Sequence, residues 1–113
     1  MSIPPTETLR RLCLALPNVT EATMKRGPSY RVGGRIFAWE RQAEGCATVW
    51  LKVPEGLQTV LVGSDPERFF VPPYVGPKGW VGLHLDDGTD WDEAAALVER
   101  SYRLIAPRRA QRS

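Results

Sequence analysis

The spacing of apolar positions changes along the chain, and each change predicts an element. Leu9, Leu12, Cys13 and Leu16 recur at helical intervals. They predict a first helix from about Pro5 to Leu16, with Thr6 as its N-cap candidate, Arg10 and Arg11 on its outer face and Pro17 as its stop. "PNVTEATMKRGPSY" shows neither period and reads as an irregular connection. "SYRVGGRIFAWERQ" reads as a hairpin, two β-prone runs about Gly33-Gly34. "CATVWLKV" alternates: Ala47, Val49, Leu51 and Val53 face one way, Thr48, Trp50 and Lys52 the other. The first set is core. The second is either half exposed or covered by another element.

Pro54 is expected to open a short helix to about Val62, and "DPERFF" a further helical turn capped by Ser64 and Asp65. In "GWVGLHLDD", Val81, Leu83 and Leu85 alternate with Gly82, His84 and Asp86, predicting a strand. The last helix starts at Asp90, where "DWDE" resembles a capping box, and Trp91, Ala94, Val98, Tyr102 and Ile105 form its apolar stripe. Pro107 ends it, and residues 107–113 are expected to be a frayed basic tail. Helix, three strands, two short helices, strand and helix imply an α+β fold. One antiparallel sheet of about four or more strands would have the N- and C-terminal helices packed on one face, in a single domain over residues 1–113.

Composition changes this picture little. The chain has 113 residues, 42% hydrophobic and 25% charged, in the range of a soluble globular domain. No apolar run reaches the roughly 20 residues a membrane span needs, and the N-terminus lacks the order of a secretory signal, so no membrane partner and a cytoplasmic location are expected. Cys13 and Cys46 are too few for a disulfide scaffold or a zinc site. The net charge of +2 is small but uneven: residues 1–41 carry seven bases against three acids. Much of the acid-then-base order in the last helix follows from its dipole.

The chemical candidates are few. His84 is the one histidine and points toward the side of Asp86; an enzyme built on it is a third reading, but without a convincing nucleophile or metal set no catalytic residue is assigned. Asp86, Asp87, Asp90, Asp92 and Glu93 lack calcium-loop spacing, and no metal or cofactor is expected. "RVGGRIF" and "YVGPKGWVG" match no phosphate-loop pattern. The hairpin region is basic: Lys25 and Arg26 precede it, Arg31 and Arg35 flank its turn, and Arg41 lies at its far end. Such a hairpin can lie along phosphates, with Trp50, Lys52 and Lys78 as further contacts. The stretch "FFVPPYVGPKGWVGL" is stiff, aromatic and almost uncharged. It reads as a rigid lid over one edge of the core or as a preformed recognition surface. In the second case Trp39, Tyr74, Trp80 and His84 would border a ligand pocket.

Taken in order, "LALPNVTEA", "PSYRVGGRIFAW", "LKVPEG", "DPERFFVPPYVGPKGWVGLHLD", "DWDE" and "SYRLIAP" resemble the MmcQ/YjbR family over roughly Leu12 to Pro107. "FFVPPYVGPKGWV" is the most specific block. The resemblance implies a small α+β domain of frataxin-like, double-wing-like fold and a DNA-binding role; binding through phosphate contacts would be weak and salt-dependent. It brings no catalytic residues. Similarity to frataxin would imply iron, but "TETLRRLCLAL" has one acid and two arginines where an acidic helix would be needed. Two functions are therefore expected to compete. One is DNA binding through the basic hairpin. The other is a protein- or small-ligand-interaction module built on residues 69–83, without catalytic activity.

Overall fold

The computed structural model describes residues 3–25, 27–43 and 45–111. Arg26 therefore lies outside the described residues. Helix α1 spans Pro5–Leu14. Pro5 takes the first helical position, where its missing N–H costs nothing. Thr6 thus sits inside the first turn and is not the cap; Pro4 holds that position, and its ring offers no hydrogen-bond acceptor. The helix stops at Leu14, earlier than Pro17 requires.

Six strands form one sheet in the order β1-β2-β3-β4-β6-β5, every neighbouring pair antiparallel. They are β1 Thr20–Ala22, β2 Ser29–Val32, β3 Arg35–Ala43, β4 Cys46–Lys52, β5 Phe69–Phe70 and β6 Trp80–Leu85. The stretch expected to be irregular thus contains an edge strand, β1, with Glu21 opposite Tyr30. Three residues are too few to display alternation, and the free edge of β2 supplies the pairing. Likewise "DPERFF" makes one turn, with Arg68 N and Phe69 N both donating to Asp65 O, and its last two residues leave as β5. The β2–β3 turn is as expected: Gly33 and Gly34 have φ of 60° and 79°, the double left-handed geometry of a tight hairpin.

Helix α2, Leu57–Ser64, begins three residues after Pro54, because Gly56 at φ 87° interrupts the helical path. Helix α3, Trp91–Ile105, is capped by Asp90, whose Oδ1 accepts from Asp92 N and Glu93 N at 3.1 and 3.2 Å. The expected reciprocal bond from Glu93 does not form; Glu93 instead pairs with Arg68. After Pro107 the chain makes a 3-10 turn, Arg108–Gln111, whose Ala110 O accepts from Asn18 Nδ2 and Tyr102 Oη. No described helix is long and apolar enough to cross a membrane.

α3 lies on one face of the sheet against β3 and β4, with α1 beside it. Ala38, Val49, Leu51, Val81, Leu83 and Leu85 share that face and are buried under the helices. One break in register shapes the other face. Tyr30 pairs with Ala38 but Arg31 with Ile36, so Phe37 is an extra, bulged residue. The bulge turns Phe37 inward, where its ring meets Tyr102 edge-on at 5.4 Å. It also parts β3 from β4 beyond the Ala38–Leu51 pair. Ser101 of α3 fills the gap. Its Oγ accepts from Lys52 N at 2.9 Å and donates to Phe37 O at 2.6 Å, standing in for the ladder bond those two groups lose.

Glu40 is a polar exception on the helix side, 6% exposed, with one bond at 3.4 Å from Gln42 Nε2. Burial, with a smaller push from Glu21, raises its pKa above the ordinary value, and the Gln42 bond only partly opposes this. A carboxyl whose pKa is raised on folding binds its proton more tightly in the folded state. Its contribution to stability is therefore whole below the unfolded pKa of about 4.3 and falls as pH rises through the folded pKa. Glu40→Gln is expected to raise Tm by a few degrees at neutral pH and to leave it nearly unchanged near pH 4. Thermal melts at the two pH values check this; an equal shift at both would contradict it.

Candidate functional site

On the face away from α3, paired positions bring side chains from four strands together. Trp39 stands opposite Trp50, Arg41 opposite Thr48, Lys52 opposite Trp80 and Thr48 opposite His84. Arg31 shares this face and donates from Nε to Ser29 Oγ at 3.3 Å. The loop from Val71 to Gly79 folds over part of it. Phe70 leads in, its ring lying on Gly82 so closely that a Cβ there would fall 2.2 Å from Phe70 Cζ. Gln58 of α2 fixes the loop by donating to Gly76 O and Trp80 O at 2.8 and 2.6 Å. Lys52 Nζ donates to Lys78 O. The Trp50 face of β4 is therefore covered: Thr48 is 2% exposed and Trp50 4%.

In the loop, Pro72 is fully buried and Trp80 nearly so, whereas Tyr74 and Lys78 stand out into solvent.

Three adjoining hollows mark this face. The widest, about 320 Å³, opens where β3 and β4 part. Arg35, Ile36 and Trp39 line it from β3, Lys52 from β4, Val75 and Lys78 from the loop, and Trp80 from β6, with Ile105 of α3. A second, about 170 Å³, lies among Met24, Lys25, Trp39 and Arg41. The third, about 210 Å³, lies among Arg41, Gln42, Thr48, Trp50, Phe70, Pro73 and Tyr74. Trp39 joins the first two and Arg41 the last two. Arg41 stacks its guanidinium on both indoles, 4.8 Å from the Trp39 ring centre and 4.4 Å from that of Trp50.

The structure thus gathers Lys25, Arg35, Arg41, Lys52 and Lys78 along one strip with Trp39, Trp50, Tyr74 and Trp80. His84 is on the same face but packs its ring against Phe70, centres 4.8 Å apart, and lines none of the three hollows. Ile36, Thr48, Phe70 and Val75 were not legible as site residues. Phe70 belongs to a two-residue strand, and the position of Ile36 depends on the bulge.

Charge is distributed in a telling way. The ion pairs among the described residues engage Arg10, Arg11, Arg68 and Arg103, all off this strip. Lys25, Arg31, Arg35, Arg41, Lys52 and Lys78 have no carboxylate partner among the described residues, and no described acid lines any of the three hollows. No group of three or more His, Cys, Asp or Glu among the described residues could hold a metal ion. Cys13 is buried and its thiol pKa is pushed up by that burial, so it is an unreactive core residue.

Comparison with known proteins bears on the fold and the family. The crystal structure of the Deinococcus radiodurans protein DR2400, described as a DUF419 domain, matches with a TM-score of 0.78. It is 22% identical, and the alignment covers 89% of this chain and 78% of that one, which shows a shared fold. No curated protein matches the chain. A family model described as YjbR matches residues 14–104, a span holding all six strands, α2 and all of α3 but its last residue. On that match, the chain belongs to the YjbR family.

Proposed function

We propose that the protein binds nucleic acid along the face of its sheet away from α3, without a catalytic step. The observation that supports this is the set of six cations on that face, five along the strip and Arg31 beside it, with no acidic partner among the described residues and interleaved with tryptophans. Unpaired lysines and arginines on one face can neutralise phosphates and release counterions. Arginine suits this role because its fork binds phosphate oxygens in pairs. Trp39, half-buried between two hollows, adds an aromatic wall beside that path. DNA is the partner the reading names first.

Fluorescence anisotropy of labelled DNA, single-stranded and duplex, tests this at about 50 mM salt. Micromolar or tighter binding is expected, weakened by Arg31→Ala with Arg35→Ala. The pair Arg11→Ala and Arg103→Ala, on exposed ion-paired helix positions, should leave it unchanged. Absence of binding at low salt would overturn the reading.

Exposed Val71 and Tyr74 on the loop favour a second reading, a protein-interaction surface. It would be largely independent of salt and would depend on the loop more than on Arg35.

A further inference from the structure

The hollow beneath Tyr74 has features that packing and phosphate contact leave unexplained. Tyr74 has φ 65° at the centre of a three-residue turn closed by Val75 N donating to Pro73 O at 2.6 Å. An L-residue adopts that conformation only at a cost, and glycine would fit there freely. Tyr74 is nonetheless a tyrosine, 81% exposed, so burial returns little for the strain. Its side chain has no hydrogen-bond partner among the described residues. The ring stands at the rim of the hollow.

Two residues that line the hollow carry side-chain donors without acceptors. Arg41 Nε and Trp50 Nε1 are sealed from solvent and have no partner. Trp50 is 4% exposed. Thr48 Oγ1, their neighbour, already donates to Arg41 O at 2.8 Å. Unmatched buried donors are costly, and an acceptor brought within reach of either would relieve that cost. The hollow, about 210 Å³, is smaller than the roughly 300 Å³ at which sites for drug-sized ligands begin. It suits a single heterocycle.

We infer that this hollow receives one unpaired base of a nucleic-acid strand, so that the face prefers single-stranded to duplex nucleic acid. The inference rests on the nucleic-acid reading above. The base stacks on Tyr74 and turns its acceptor edge to Arg41 and Trp50, after a small swing of the Tyr74 ring opens the way. The flanking phosphates run toward Lys25 and Arg35, which line the hollows next along the strip. A base paired within a duplex is stacked and hydrogen-bonded, and cannot enter without being extruded.

The test is the ratio of single-strand to duplex affinity, read by anisotropy with a strand of about 20 nucleotides and its duplex at about 50 mM salt. For the wild-type chain the single strand is expected to bind about tenfold more tightly, the yield of one stacked base. Tyr74→Ala should collapse the ratio toward one, and Tyr74→Phe, which keeps the ring, should restore it. Melting curves of both variants verify that they fold. Binding of both DNAs with a wild-type ratio near one, or a ratio that Tyr74→Ala leaves unaltered, would overturn this inference while the nucleic-acid reading stands. Binding of neither DNA would overturn the reading itself, and this inference with it.

Discussion

Ser101→Ala is expected to destabilise the protein by about 2–4 kcal/mol, because it strips partners from two buried backbone groups at once. Lys52 N and Phe37 O face each other where β3 and β4 have parted, and the Ser101 hydroxyl bonds to both. Ser101 has no exposed surface, so water cannot take its place without opening the α3–sheet interface. For a domain of this size the loss corresponds to a fall in Tm of about 10 °C or more. Chemical denaturation gives the free energy directly. Ser101→Thr keeps the hydroxyl and adds a methyl group to a packed site, so its cost should arise from crowding. A loss below about 0.5 kcal/mol for Ser101→Ala, the scale of an ordinary surface change, would mean that the hydroxyl does not bridge the strands.

The same bridge sets the shape of the hollow between Arg35 and Lys52. With β3 and β4 held apart at the bulge, Arg35 and Ile36 on one side and Lys52 on the other become walls of a groove rather than ladder neighbours. Reversing charge in that groove, Arg35→Glu with Lys78→Glu, is expected to weaken DNA binding by more than about 100-fold at about 50 mM salt. Each lost phosphate contact removes the release of about 0.9 counterion on duplex DNA, which at that salt concentration is roughly a tenfold effect, and reversal adds repulsion. Both side chains are exposed, so the fold should tolerate the change. Unchanged affinity in a normally melting variant would remove the groove from the interface.

Much of the architecture was legible because it depends on local chemistry. Gly33-Gly34 announced a tight hairpin turn, the alternation from Ala47 to Val53 separated two faces of β4, and Asp90 marked the start of α3. The edge strands were not, because Thr20–Ala22 and Phe69–Phe70 are shorter than any period and exist only through their neighbours. The start of α2 shifted for a related reason: Pro54 suits a first helical position, but the left-handed turn at Gly56 comes after it.

The candidate site divides along the same line. Its cations and tryptophans could be listed from the sequence, and the Trp50–Lys52 face of β4 could be flagged as half exposed or covered. What covers it could not be read, since that depends on the long return of the loop and on Gln58, a polar residue in an unremarkable helix. The bulge at Phe37 was also silent. It leaves no mark in composition, yet it brings Phe37 to the core side beside Ala38 and opens the groove. Ser101 interrupts an apolar stripe, and a small hydroxyl within such a stripe is a signal of a backbone contact.

The central claim is that unpaired cations on the face away from α3 neutralise phosphates. The dependence of duplex DNA affinity on salt concentration tests it most directly, because the slope counts the contacts. Four or more of the six cations engaged predicts log K falling with log salt at a slope of about −3.5 or steeper. A slope near zero, or no binding even at the lowest salt, would contradict it.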